Sequence, residues 1–289
     1  MFKRSITIIK KMAGLSLIEL LIALTISILV LSCLTAIILA IEKNYQTQLA
    51  LNSIQENARI ATNLFNSEIH QAGNLGCAKL TENFPFKNNS SQLFSKIILY
   101  HNNKMKPGTQ GFTIAHADIN HVNLSTSMPN TLALYVPTTE EFLQNEIAVL
   151  SDSSSVDIFL IAEIDKVANN LQKITSRTLL IKKYQSDAEL AHLVKNSYFI
   201  EKTDRKSSRN SPVYALFVKD INGVKHELID GVDDMKIHFA IVADNTLIEK
   251  NAEDVPENAL IRGVSIKLVL SSVSKVYLQK NYYFYVALR

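Results

Sequence analysis

Residues 20–41 carry no charge, and Thr25, Ser27, Ser32 and Thr35 are the four polar interruptions in those 22 positions. No other stretch constrains the chain so strongly. In an apolar medium only a helix satisfies every backbone amide within one segment, and all four hydroxyls can bond back to helix carbonyls. At about 1.5 Å per residue the run spans roughly 33 Å, enough to cross a bilayer. Before it, residues 1–14 hold Lys3, Arg4, Lys10 and Lys11, no acid, and a terminal Gly14. That basic flank predicts that 1–14 stay cytoplasmic and that 42–289 are exported.

One carboxylate, Glu19, stands between the basic flank and the uncharged run. A basic region followed by apolar residues is also the pattern of a secretory signal or a plain anchor. A secretory apolar region runs about 7–15 residues and ends in small residues at a cleavage site, and this one is longer. A carboxylate inside a spanning helix costs on the order of 3 kcal/mol at the bilayer centre and less near an interface, so it calls for a partner. In a simple anchor Glu19 has none.

No Gly or Pro occurs from Leu15 to Ala72, which predicts one unbroken helix over 15–72, about 87 Å long. Its first part, 15–41, is the span. Glu42, Lys43, Asn44, Tyr45 and Gln46 mark the exit from the bilayer. Beyond them Ala50, Ile54, Ala58, Ala61, Phe65 and Ile69 recur at helical spacing, with Leu51 and Leu64 flanking and Gln55, Glu56, Asn63 and Asn66 on other faces. Over 42–72 the expectation is therefore an amphipathic spine whose stripe, with Ile54, Ala58, Ala61 and Phe65 at its centre, is covered by the rest of the chain. Gly73 supplies the residue that commonly ends a helix in the left-handed conformation.

From about residue 94 the pattern changes to strands. Candidates are 94–100, 111–115, 131–136, 156–162, 178–184, 197–201, 213–219, 225–230, 235–242, 264–273 and 282–288. Several alternate: Val264, Ile266, Leu268 and Leu270 share one side. Lys106-Pro107-Gly108 and Ile221-Asn222-Gly223 read as turns. A short helix is expected over 187–196, with Ser186 and Glu189 spaced as a capping box. Segments 202–212 and 243–262 read as long polar loops. With no βαβ alternation the sheets are expected to be antiparallel, which makes the fold class α+β.

Charge and cysteine content narrow the function. The chain has 30 Lys+Arg and 27 Asp+Glu; without the four leader cations, 26 oppose 27, a net of −1. Bulk charge gives a nucleic-acid partner no support. Cys33 lies in the span and Cys77 comes 44 residues later. Along a helix that separation is roughly 66 Å, beyond any disulfide within one chain. Cys77 is expected to be a buried thiol acting as a small apolar residue, with an intermolecular bridge as the alternative.

The leader and its sequel, G-L-S-L-I-E-L-L-I-A-L from Gly14 to Leu24, resemble the start of a type IV prepilin. The resemblance implies cleavage by a prepilin peptidase between Gly14 and Leu15, with N-methylation of Leu15. The family most often has Phe there, so Leu15 is a departure. It further implies that Glu19 serves assembly, by pairing with the Leu15 amine of its own chain or, preferentially, of a neighbouring subunit. Order along the chain, long helix then antiparallel sheet, resembles the type IV pilin fold, here as leader 1–14, helix 15–72 and β-rich head 73–289.

Local elements are similar to the PilW-like branch of minor pilins. Ala72-Gly73-Asn74-Leu75-Gly76-Cys77 resembles its A-G-x-x-G-C closure. The segment from Leu228 to Ile237, the R-x-V-x-I-x-L-like run from Arg262 to Leu268 and the end from Tyr285 to Arg289 resemble its later strands. Residues 78–225 carry no such resemblance. The likeness implies a minor pilin that waits in the inner membrane with a periplasmic head, primes pilus assembly and sits at or near the tip at the cell surface. Partners would be other minor pilins, the major pilin and a tip adhesin, with inner-membrane lipid before assembly. A J-type pseudopilin of type II secretion and a pilus-associated DNA-uptake module are the alternatives.

No G-x-S-x-G, Walker loop, G-x-G-x-x-G or H-E-x-x-H occurs, so no enzyme, cofactor or metal is expected. His116 and His121 flank Asp118 in H-A-D-I-N-H, a pattern open to metal ligation, but with no Cys nearby a polar surface loop is the favoured reading. Asp233-Asp234 and Asp244-Asn245 lack the regular ligand spacing of a calcium loop. Lys202, Arg205, Lys206 and Arg209 form a basic loop diluted by Glu201 and Asp204. Tyr282, Tyr283, Phe284 and Tyr285 read as a closing strand packed on both faces.

Overall fold

The computed structural model describes residues 17–77, 98–168, 170–243, 246–255 and 261–288. It divides into two units, Met1–Leu49 and Ala50–Arg289. Helix α1, Leu17–Gln71, is unbroken over 55 residues. In the first unit every described apolar side chain of the uncharged run is open, from Leu20 at 51% exposure to Ile41 at 61%. Its hydroxyls are turned inward: Thr25 donates to the Ile22 carbonyl, Ser27 to Ala23, Ser32 to Leu29 and Thr35 to Leu31, all at 2.7–2.8 Å. The span therefore exposes apolar atoms and hides its few polar ones, which is what a hydrocarbon environment requires.

In the second unit α1 is a core element. Ala50, Ile54, Ala58, Ala61, Phe65 and Ile69 are all buried. Phe65 is the hub: its ring meets Phe112 and Tyr198 edge-on at 5.2 and 5.5 Å and stacks on Phe284 at 5.7 Å. Asn57 ties the helix down with bonds to the carbonyl and side chain of Asp230 at 3.0 and 3.1 Å. Gly73 follows the helix at φ 76°, the left-handed cap its sequence position predicts. Its N–H bonds the Ala115 carbonyl at 2.9 Å, and the Asn74 carbonyl accepts from the Ala117 N–H at 2.7 Å.

Thirteen strands are described: β1 Ile98–Tyr100, β2 Gly111–Asn123, β3 Ala133–Pro137, β4 Ile147–Ser151, β5 Val156–Ala168, β6 Leu171–Ser176, β7 Glu189–Lys206, β8 Pro212–Lys219, β9 Lys225–Asp230, β10 Val232–Ala243, β11 Thr246–Asn251, β12 Ile261–Ser271 and β13 Gln279–Ala287. Every pairing is antiparallel. One sheet runs β1-β2-β7-β4-β5-β6-β3, with β8 and β9 continuing from the far half of β7; the other runs β11-β10-β12-β13. The fold is α+β.

Two main cores result. One joins the α1 stripe to Phe112, Tyr198 and Leu216 of the first sheet and to Ile237, Ile266 and Leu268 of the second. The other lies within the β3–β6 lobe, around Leu134, Leu150, Phe159, Ile161, Ile174 and Tyr184.

Several expectations are corrected. Residues 187–196 are not a helix but lead into and form the start of β7. Leu190, Leu193 and Val194 mimic helical spacing, yet β7 is central and bonded to β2 on one side and to β4, then β8, on the other. Buried on both faces, it has no alternation to betray it. Residues 178–184 are irregular chain, because the Asp157 carboxylate captures both the Ile181 N–H at 2.7 Å and the Tyr184 hydroxyl at 3.1 Å.

The expected loop 202–212 shrinks to the turn 207–211, and within 243–262 lie β11 and a 3-10 turn, Ala252–Asp254. Strands β4 and β6 are additions to the expected set. Of the candidate strand 94–100, residues 94–97 lie outside the described residues.

Candidate functional site

One described helix, α1, is long and apolar enough to cross a membrane, with a mean hydropathy of 2.7 over its most apolar 18-residue window. Glu19 is exposed in its first turn and is the acid the helix carries there. In hydrocarbon such a carboxylate calls for a cationic partner. Gly14 and Leu15, which the resemblance implies as the cleavage and methylation positions, lie outside the described residues. Ile54, Ala58, Ala61 and Phe65 sit 0%, 6%, 0% and 0% exposed, so the spine is committed to the head.

The histidine pair belongs to a strand. His116 and His121 lie on β2, not on a surface loop, because residues on both sides of Asp118 pair with β7 across an irregularity in register. His116 is buried: Nδ1 donates to the Ala117 carbonyl at 2.8 Å, and Nε2 has no hydrogen-bond partner among the described residues. His121 is exposed, with Nε2 3.6 Å from Glu189 Oε1. Among the described residues no three His, Cys, Asp or Glu side chains are arranged to hold a metal ion. Asp244 and Asn245 lie outside the described residues.

Cys77 is exposed instead of buried, at the end of the turn that follows α1, with Sγ 3.6 Å from the Ser151 carbonyl. Its partial desolvation, then the Glu189 carboxylate, push the thiol pKa up, so it is not an activated nucleophile. Next to Ser151, Asp152 Oδ1 accepts from the Ser154 and Ser155 amides at 2.8 and 2.9 Å, and Oδ2 lies 2.5 Å from Lys182 Nζ. Burial opposes this charge, yet the bonds from Lys182 and Ser154 outweigh it and hold the Asp152 pKa at about 2. Tyr184, deep in the same lobe, is raised above its usual range by burial.

Of the four basic residues of the expected loop, Lys202, Arg205 and Lys206 lie on β7 and Arg209 in the turn after it. Arg205 pairs with Glu227, and the Arg209 guanidinium lies 5.0 Å from the centre of the Tyr277 ring. On β13 the aromatic run is packed on one face only: Tyr282 and Phe284 face the core, whereas Tyr283 and Tyr285 are 68% and 49% exposed. The cause is strand alternation: successive side chains take opposite faces, and one face of β13 meets the core. Sequence reasoning singles out neither Asn57 nor the polar groove lined by Lys106, Tyr214, Asp233, Tyr277 and Gln279. The groove's residues come from five separate segments, so no local motif marks it. Set against protein-family models, curated proteins and solved structures, the chain matches none.

Proposed function

We propose that this chain is a non-enzymatic assembly subunit, a minor pilin of the type IV superfamily similar to its PilW-like branch. The observation that supports it most is α1: one unbroken helix, open over 17–41 with Glu19 as its one charge there, and with a stripe from Ala50 to Ile69 buried in an antiparallel β-head. That is the division of labour a subunit needs if it is first stored in lipid and then stacked with others. On assembly the 20–41 surface exchanges lipid for neighbouring pilin helices, so apolar burial is retained throughout. Glu19 meets the Leu15 amine of a neighbour, which neutralises both charges and sets the axial stagger. The head is then free to contact sister minor pilins, the major pilin or a tip adhesin.

The decisive experiment is intact mass and N-terminal sequencing of the protein from its own cell envelope. Loss of residues 1–14 and a methyl group on Leu15 are expected. A protein that still begins at Met1, in a strain whose other prepilins are trimmed, overturns the reading.

A further inference from the structure

Five described strands end a sheet: β1, β3, β9, β11 and β13. An unpaired edge presents a row of N–H and C=O groups to any passing strand, so folded proteins blunt theirs. Four of the five are blunted. Strand β1 has three residues, and β3 has five and closes on Pro137. Strand β9 carries Lys225, Glu227 and Asp230 beside a bulge, and β11 carries Glu249 and Lys250. Strand β13 has no such device. It pairs with β12 through nine consecutive residues without a register shift, and from Asn281 to Ala287 it holds no charge and no Pro. Its two ends show which groups point outward. The Leu278 carbonyl accepts from the Ser272 N–H at 2.9 Å and the Leu288 N–H donates to the Arg262 carbonyl at 2.8 Å, so its even-numbered residues bond β12. The N–H and C=O of Asn281, Tyr283, Tyr285 and Ala287 therefore face away from β12, and no described strand pairs with them. Along this edge Tyr282 and Phe284 are only half-buried against the core, and Tyr283 is 68% exposed on the other face.

Peptide groups spaced along a straight strand are satisfied together only by another extended backbone, since a helix or a small ligand offers no matching row of donors and acceptors. Side-chain chemistry narrows the segment further. Beside the half-buried Tyr282 and Phe284 it needs apolar residues, which complete the rim of the core. Lys280 is in no ion pair among the described residues, so an acid opposite it is favoured and a second cation disfavoured. Strand β13 carries no acid of its own, so a second copy paired through the same strand would leave Lys280 unanswered. We propose that the free edge of β13 is a docking site for an extended segment of another polypeptide, added antiparallel as a further strand. That segment alternates apolar residues, over Val286, Phe284 and Tyr282, with small polar ones and has an acid opposite Lys280. The edge belongs to the head alone and does not rest on the pilin reading.

The test is calorimetric titration of the full-length protein in detergent with a synthetic peptide capped at both ends, Thr-Val-Thr-Ile-Thr-Val-Thr-Glu-Thr. Antiparallel docking sets its apolar residues opposite Val286, Phe284 and Tyr282 and its glutamate opposite Lys280. Saturable binding with a Kd of about 10 μM to 1 mM is expected. Methylating the amide nitrogen of the central threonine, which meets the Tyr283 main chain, should weaken it by about tenfold or more. Methylating the isoleucine beside it, whose N–H faces outward, should not. Lysine in place of the glutamate should weaken binding by about threefold or more. Tyr283→Pro deletes one edge N–H and no bond to β12, and should weaken it by about tenfold or more. Tyr283→Ser keeps that N–H and should cost no more than about fivefold. If Tyr283→Pro lowers the thermal midpoint, the methylated peptides decide on the unaltered protein. Absence of saturation, equal binding of the lysine peptide or of the one blocked at its central threonine, or undiminished binding by a folded Tyr283→Pro protein would overturn the assignment. So would a peptide-free dimer that Tyr283→Pro dissolves, which would give the edge to a second copy.

Discussion

The ring of Tyr285 fills the space in front of Gly263 that a Cβ would occupy: its Oη, Cζ and Cε2 are the atoms such a carbon would meet first. Strand pairing sets Tyr285 opposite Ser265 and Gly263 opposite Ala287, so the contact runs diagonally across the outer face of the second sheet. A half-exposed aromatic is thereby given a seat that only glycine leaves open. Gly263→Ala should unseat the ring and cost about 1–3 kcal/mol, as overpacking does. Urea unfolding of the detergent-solubilised protein, followed through tyrosine because the chain has no Trp, measures it. Tyr285→Ala should be milder, and in combination should recover at least about 0.5 kcal/mol of the loss. Strict additivity of the two changes would show that the contact carries no energy.

Phe65 is the residue on which α1 and both sheets converge, through Phe112, Tyr198 and Phe284. Phe65→Ala removes a fully buried ring from a site whose walls are strands that cannot collapse onto the gap. A loss of about 3–5 kcal/mol is expected by the same unfolding measurement. Ile60→Ala, on the same helix but 41% exposed, should change stability by no more than about 0.5 kcal/mol. Equal effects of the two would mean that the buried stripe does not seat the helix on the head.

Legible in the sequence is what local chemistry alone decides. The extent of α1 follows from an absence of Gly and Pro and from a stripe that keeps helical phase through Ile69. Strand β12 follows from alternation, because one of its faces is open. The start of β7 reads as a helix because pairing on both edges and burial on both faces replace alternation with the spacing of Leu190, Leu193 and Val194, which a helix shares. Tyr184 reads as part of a strand because its apolar neighbours suggest one, whereas a buried Asp157 some 27 positions earlier organises that stretch. Tertiary partners of this kind leave no local trace. The groove at Asp233 is the extreme case.

Acid should loosen the β4–β5 region through Asp152. Its folded pKa, about 2, lies below the ordinary 3.8. The unfolded chain therefore binds the proton more readily, and the stabilisation is complete above about pH 4 and disappears as pH falls through 2. Asp152→Asn keeps the shape but loses the Lys182 pair, and should lower Tm at pH 7 by about 2–4 °C. The gap between the two proteins should close as pH drops from about 4 to 2. A gap that widened over that interval, read by thermal melts at fixed salt, would reverse the sign of the assignment.

The sharpest prediction concerns Glu19. Along 17–41 it is the one ionisable side chain apart from Cys33, and it stands exposed in the first turn of a helix that otherwise presents hydrocarbon. If its partner in the assembled fibre is a neighbour's Leu15 amine, Glu19→Ala or Glu19→Gln leaves that amine buried and uncompensated. Breaking one side of such a pair costs about 3–5 kcal/mol, enough to abolish a repeated subunit contact. The uncharged side chain enters lipid more easily than the carboxylate, so membrane insertion should not suffer. Both variants should therefore retain the wild-type thermal midpoint of the head and be cut after Gly14, while surface pili disappear from sheared fractions and micrographs. Normal piliation with both substitutions would show that the carboxylate has no role in assembly and would leave its place in the span without a physical cause.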